Sequence, residues 1–300
     1  MPAPEPMNLP GGAPLAIGEG GMFSARRWVP GEPLGRTSVA YPTPDHWLEL
    51  PRALPDPAFV AAVEALARLH VIVPPTGAAA PLPRAPLTGF PDAVRAAWQD
   101  GRARLRAVAP MNPPVQRWIA GGERLLPAAE AVLAAAPEGA LAPRAIVHLN
   151  VWPGQFLYEG EDRLTGLVGW SHAAIGAPLL DLAQAIVRLR GWSTPAVELL
   201  VGAHGAVRSL DPEERRLLPA LGALDLVATA SRLLIAAYAR PPDAPAPPTA
   251  LRAGIAHLID GMDNVALALI QTEGTGKPKR SRPAPSRRRK PAAGPKTRRR

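Results

Sequence analysis

The 300 residues predict a mostly helical α+β fold, and three observations carry that prediction. Apolar residues recur at helical spacing through 56–72 and through most of 178–271. Between these regions, AIVHL (145–149), QFLYE (155–159) and RLTGLVGW (163–170) read as short strands around a tight turn. Gly160–Asp162 is the expected hairpin loop between the second and third of them. Near the start, PLAIGEGGMFSARRWV reads as two further short strands about a Gly-rich turn.

Taken in order, residues 1–14 are Pro/Gly-rich and predict disorder. The strand pair follows from Leu15, and RWVPGEPLG interrupts regular structure at Pro30, Gly31 and Pro33. DPAFVAAVEALARLHVI (56–72) predicts a helix: Pro57 suits its first turn, and Phe59, Val63, Leu66, Leu69 and His70 share a face. A Pro-rich connector (74–88) leads to expected helices at 91–107, 113–122 and 123–136, each bounded by Pro or Gly. Beyond the central strands, helices are expected at 178–190, 195–208, 212–238 and 249–271, the third of these four broken near Pro219–Gly222. RPPDAPAPP (240–248) predicts a loop.

The absence of cysteine excludes disulfides, thiolate metal sites and cysteine nucleophiles, and it fits a reducing cytoplasm. MPAPEPMNLPGG has neither the basic nor the apolar region of a signal peptide. No window approaches about 20 uninterrupted apolar residues, so no membrane span is expected. The formal net charge of +9 belongs to one end: residues 277–300 hold 12 Lys or Arg and no acid, leaving 22 basic against 25 acidic residues elsewhere.

The residues that carry chemistry lie in HLNVWPGQFLYEGEDRLTGLVGWSHAAIGAPLLDLAQAI (148–186). Taken singly, His148 behind an apolar strand reads as an ordinary core histidine, and Asp181 as an acid favoured by a helix N-terminus. His172 reads as an exposed loop residue. Their joint spacing says more. The segment resembles the catalytic stretch of the aminoglycoside phosphotransferase and choline kinase superfamily, usually read as His-Gly-Asp-x-His-x-x-Asn. A hairpin then leads to a strand ending in Asp, followed by Gly-x-Pro-x-x-Asp-Leu-Ala. With RWVPGEPL as the lobe connector and LARLH (66–70), the resemblance covers roughly 15–270.

The resemblance implies a protein-kinase-like C-terminal lobe over 36–273, with 15–35 as residual N-lobe strands and connector. By the same resemblance the catalytic base falls on Asn150, and the two metal ligands fall on Gln155 and Gly169. The family's second His falls on Trp152. An amide cannot usefully accept a proton at neutral pH, and Mg²⁺ relies on carboxylates to offset its dehydration. His148, Pro153, Gly154, Trp170, Gly176, Pro178 and Asp181 match the family's structural positions. Asp181 is expected to hold the catalytic loop from below. ATP and Mg²⁺ are the implied cofactors if the chain is active, and none if it is degenerate.

A kinase-like cleft also needs a strand-borne Lys on the nucleotide phosphates. Only about 27 residues precede the connector and the first Lys is Lys277, so either the N-terminal lobe is reduced or the true start lies upstream. The expectation is a degenerate phosphotransferase that binds a small molecule or partner. An active phosphotransferase with an atypical site and a scaffold acting through its tail are the alternatives. The tail, 274–300, is expected to be disordered and to attract nucleic acid or another polyanion through Arg287, Arg288, Arg289, Lys290, Arg298, Arg299 and Arg300.

Overall fold

A computed structural model describes residues 16–18, 21–23, 30–35, 37–41, 43, 47–72, 83–85, 87, 89–240 and 244–275. The segments read as disordered at 1–14 and 276–300, with the seven tail residues named for polyanion binding, lie outside the described residues.

The first described elements are an antiparallel pair, β1 (Ala16–Gly18) and β2 (Gly21–Phe23), as the sequence predicts. A second antiparallel pair, β3 (Ser38–Ala40) and β4 (Trp47–Glu49), was not expected from the sequence, where no Gly-rich turn marks it. Helix α1 (Asp56–His70) begins with Pro57 in its first turn and buries Phe59, Val63, Leu66 and His70 along one face. Helices α2 (Phe90–Val108) and α3 (Pro113–Ala134) follow.

The central strands are β5 (Ala145–Val147), β6 (Phe156–Glu159), β7 (Arg163–Leu167) and β8 (Ala174–Gly176). β6 and β7 form the expected hairpin, whereas β5 pairs with β8. The third predicted strand stops at Leu167, and Trp170–His172 instead makes a 3₁₀ turn. The connector joins the hairpin directly: Glu32 exchanges backbone hydrogen bonds with Tyr158, at 3.0 and 2.9 Å.

The predicted helix 178–190 divides into α4 (Leu179–Ala185) and a π-helical turn, Ile186–Arg190. Wider π geometry leaves carbonyls without helical partners. Here the Arg188 and Leu189 carbonyls accept from the Arg52 and Leu54 amides, at 2.8 and 2.7 Å. The chain closes with α5 (Thr194–Gly205), α6 (Pro212–Tyr238) and α7 (Thr249–Thr275).

Helix α6 is the axis of the lobe, packed against α2, α3, α4 and α7. Its N-terminus is fixed by a reciprocal capping box between Asp211 and Glu214, at 2.7 and 3.0 Å. It is long and apolar enough to cross a membrane by length and composition, with mean hydropathy 1.6, but 78% of that window is buried among the other helices.

Two predicted helix breaks are absent. α3 runs unbroken through Gly121–Gly122, and α6 through Pro219–Gly222. These glycines are packing notches. A β-carbon on Gly122 would strike the Trp98 indole, one on Gly222 the Trp192 ring, and one on Gly121 would meet Met262 Cε at 2.7 Å. Pro219 forfeits one helical hydrogen bond, but burial of Leu217, Leu218, Leu221 and Leu224 around it keeps the helix continuous.

Candidate functional site

The site is built on the loop that leaves β5. At its centre Asp181, in the first turn of α4, is fully buried and ties down two successive amides. Its Oδ2 accepts from the His148 N–H at 2.7 Å and its Oδ1 from the Leu149 N–H at 2.8 Å. Charge-assisted bonds of this kind are about twice as strong as neutral ones. They hold a strained turn: Leu149 has φ +57°, the one positive φ at a non-glycine among the described residues. The family motif carries Gly there, so left-handed geometry is kept without the residue that adopts it freely, at a cost of about 1–2 kcal/mol.

His70 supports the same carboxylate from α1. Its Nε2 lies 3.1 Å from Asp181 Oδ2, and its Nδ1 faces His204 Nε2 at 3.3 Å. Both bonds form when His70 donates to Asp181 and His204 donates to His70, which leaves the buried His204 Nδ1 without a hydrogen-bond partner among the described residues. Burial is the largest influence on His204, and with His70 beside it the pKa falls to about 4. His148 points the other way, with Nε2 2.8 Å from the Val168 carbonyl and its ring meeting Trp170 edge-on, centroids 4.9 Å apart. Burial lowers its pKa, so the neutral imidazole donates to that carbonyl. Trp170 is anchored in turn by its Nε1–H to the Leu167 carbonyl, 2.9 Å. His148 and Asp181 therefore grip one loop from two sides.

Around that loop stand Asn150, Gln155 and Gly169. Pro153–Gln155 forms a 3₁₀ turn, with Gly154 seated against Thr37 and Glu49 of the β3–β4 hairpin region. Gly169 has φ +78° and lies directly under the Gln155 side chain. A β-carbon on Gly169 would fall on Gln155 Oε1, 2.7 Å from Gln155 Cδ and 3.3 Å from Asn150 Nδ2. The longer glutamine thus fills the space that a side chain at 169 would need. Two carboxamides converge where the resemblance expects an Asp at 150, an Asn at 155, an Asp at 169 and a metal between them.

These residues do not fit Mg²⁺. Neither carboxamide offers charge, and Asp181 is occupied by two amides and His70. Among the described residues no group of three His, Cys, Asp or Glu is placed to hold a metal ion.

Beside the loop opens a cleft of about 310 Å³ lined by Leu149, Asn150, Trp152, His172, Arg188, Ala228, Thr229 and Arg232. Trp152 takes the position of the family's second His and is stacked by two guanidiniums, Arg188 at 4.4 Å and Arg232 at 4.8 Å from its ring centroid. Arg188 comes from the π turn and pairs with Asp225 through both its Nε (3.0 Å) and its Nη2. Burial and the neighbouring Arg188 lower the pKa of Arg232, while burial raises that of Glu49 across from it. His172 is exposed at the rim, as its loop position predicts.

Arg188, Arg232, Thr229, Glu49 and the strain at Leu149 were not singled out from the sequence. The available signals were cations inside apolar helical runs, Arg188 with Arg190 in AIVRLR and Arg232 in TASRLLIA, and a leucine at the motif's glycine.

Comparison with known proteins bears on the fold and the family. A crystal structure of an aminoglycoside phosphotransferase from Alicyclobacillus acidocaldarius superposes with TM-score 0.61 at 15% identity, covering 90% of this chain and 78% of that one. The spectinomycin phosphotransferase APH(9)-Ia, solved with ADP and spectinomycin, gives TM-score 0.52 at 12% identity, covering 90% and 77%. The GDP complex of aminoglycoside 2'-phosphotransferase-IIIa gives 0.51 at 18%, covering 83% and 74%. At these identities the likeness shows the protein-kinase-like fold. Among curated proteins no significant match to the sequence was found. A model of the phosphotransferase enzyme family, APH, matches residues 1–219, and by that match this chain belongs to the family.

Proposed function

We propose that this protein is a degenerate phosphotransferase, a pseudoenzyme that keeps the family's loop scaffold and binds a small molecule without transferring phosphate. The observation that carries this reading is the Gln155 side chain lying over Gly169 with Asn150 beside it. A phosphoryl-transfer site needs a carboxylate to orient the acceptor hydroxyl and accept its proton, and oxygen ligands for Mg²⁺. Here the base position is an amide, the second ligand position has no side chain, and the space above it is filled. Losing one group that stabilises developing charge costs on the order of 10³ in rate, and two such groups are affected. A cytoplasmic location belongs to the same reading.

Purified full-length protein incubated with Mg²⁺ and ATP or GTP is expected to phosphorylate kanamycin, choline and homoserine no faster than background. Turnover that Asn150→Ala abolishes would overturn the proposal, because it would make Asn150 a working group in an active site of atypical composition.

The 12 Lys and Arg of residues 277–300 support a separate role for the tail. We propose that it contacts polyanions, nucleic acid among them, through phosphate charge and without base recognition, since it has no aromatic residue to stack.

A further inference from the structure

The cleft beside the loop has a charge character that the proposed binding role leaves open. Its floor is Trp152, buried and flanked by Arg188 and Arg232. The two guanidiniums are not equivalent. Arg188 is engaged through both Nε and Nη2 by the Asp225 carboxylate and also reaches Gln184 Oε1 at 3.3 Å. Arg232 has no carboxylate of the described residues within ion-pairing distance, and its nearest acids, Asp225 and Glu49, act on it only at longer range. Its side chain is open to solvent yet enclosed by protein on most sides, as expected for a group at the bottom of an open cleft.

The other lining groups suit the same kind of ligand. The Asn150 amide, the Thr229 hydroxyl and the His172 ring offer hydrogen bonds from three different elements. None of the eight lining residues is an acid. A cationic polyamine would therefore meet one unpaired guanidinium and no carboxylate on the lining. An oxyanion would meet a free, planar fork pre-aligned by stacking on Trp152, in walls that concentrate its field. The volume of about 310 Å³ lies at the small end of ligand sites.

We infer that this cleft binds a small organic oxyanion, a phosphate ester or carboxylate, with Arg232 as its principal anchor and Arg188 and Asn150 orienting it. The inference rests on the proposed binding role of the site, and it specifies the ligand class.

Isothermal titration of the full chain tests it with four compounds: glycerol 3-phosphate, glycerate, 3-phosphoglycerate and kanamycin. The first two distinguish phosphate from carboxylate, the third carries both, and kanamycin is the cationic control. At least one anion is expected to saturate in the sub-millimolar range while kanamycin gives no saturable heat. Arg232→Gln should weaken the anion at least about tenfold, and Arg232→Lys should recover only part of that loss, because the charge remains without the fork or its stacking on Trp152. Arg232 is exposed, so neither variant threatens the fold. Kanamycin binding as tightly as the anions, no anion saturating, or an affinity that Arg232→Gln leaves unchanged would each overturn the inference. The last outcome would place the binding elsewhere, the basic tail included. Adding Mg·ATP to the same samples separates the two proposals. Phosphorylation of a bound anion would end the degenerate reading and leave the oxyanion site standing. Absence of both anion binding and turnover would do the reverse.

Discussion

At the scale of single residues, the site's departures from the family pattern come as a matched pair. Gly169 lacks a side chain and Gln155 has one methylene more than the family's Asn, and the second change occupies the space freed by the first. Restoring a carboxylate at 169 alone is therefore expected to fail structurally before it fails chemically. Gly169→Asp should destabilise the fold by about 1–3 kcal/mol through overpacking against Gln155 together with the strain of a side chain at φ +78°, and adding Gln155→Asn should recover the overpacking part alone. Urea unfolding of wild type, single and double variants measures both steps. A single variant as stable as wild type would mean that the glutamine moves aside freely, and the pairing argument would fall. The replacements at 150, 155 and 169 were legible because each falls at a fixed offset from His148 and from Asp181. The coupling between two of them was not, since spacing says nothing about which side chain lies over which backbone.

At the scale of elements, α1, α4 and α5 are joined by the buried run from Asp181 through His70 to His204. His204 is flanked by His70, Arg208 and Glu214, and burial with the neighbouring His70 holds its pKa at about 4, below the usual 6.5. An unfolded chain protonates this histidine as pH falls below about 6.5, whereas the folded chain refuses the proton until about pH 4. The unfolded state then binds more protons, so stability is full above about pH 6.5 and declines as pH falls towards 4. His148 and His257, both lowered chiefly by burial, add to the same slope. Chemical unfolding at about pH 7.5 and about pH 5 should show this loss, and His204→Gln should flatten it. A stability that is constant or rises on acidification would contradict the relay.

Helix ends were less legible than helices. Proline and glycine mark ends when they free backbone groups to solvent. Gly121, Gly122 and Gly222 instead make room for Met262, Trp98 and Trp192, partners distant in sequence. β3, β4 and β8 were missed because each three-residue strand lacks both the Gly-rich turn that marked β1 and β2 and the apolar run that marked β5.

At the scale of the whole molecule, the kinase-like lobe was readable because one segment, 148–186, holds the loop, hairpin and anchoring acid in sequence order. The cleft was not, because Trp152, Arg188 and Arg232 come from three places in the chain and meet only after α6 packs across α4. The tail is separable in the same sense. Deleting residues 277–300 is expected to leave the thermal midpoint nearly unchanged, because the segment has no large apolar side chain to bury. It should also remove most heparin affinity, and that affinity should fall steeply with salt. Equal binding by full-length and truncated chains, or binding indifferent to salt, would refute the polyanion proposal.

On the proposed reading, the nucleotide–metal chemistry of the family is lost here while its scaffold remains. Calorimetric titration of Mg·ATP into the full-length wild type tests it most directly. The account predicts no saturable binding in the micromolar range, and no change on Gln155→Ala or Asn150→Ala. Micromolar binding of Mg·ATP that either substitution weakens about tenfold would contradict it, since the two uncharged carboxamides would then be holding the metal.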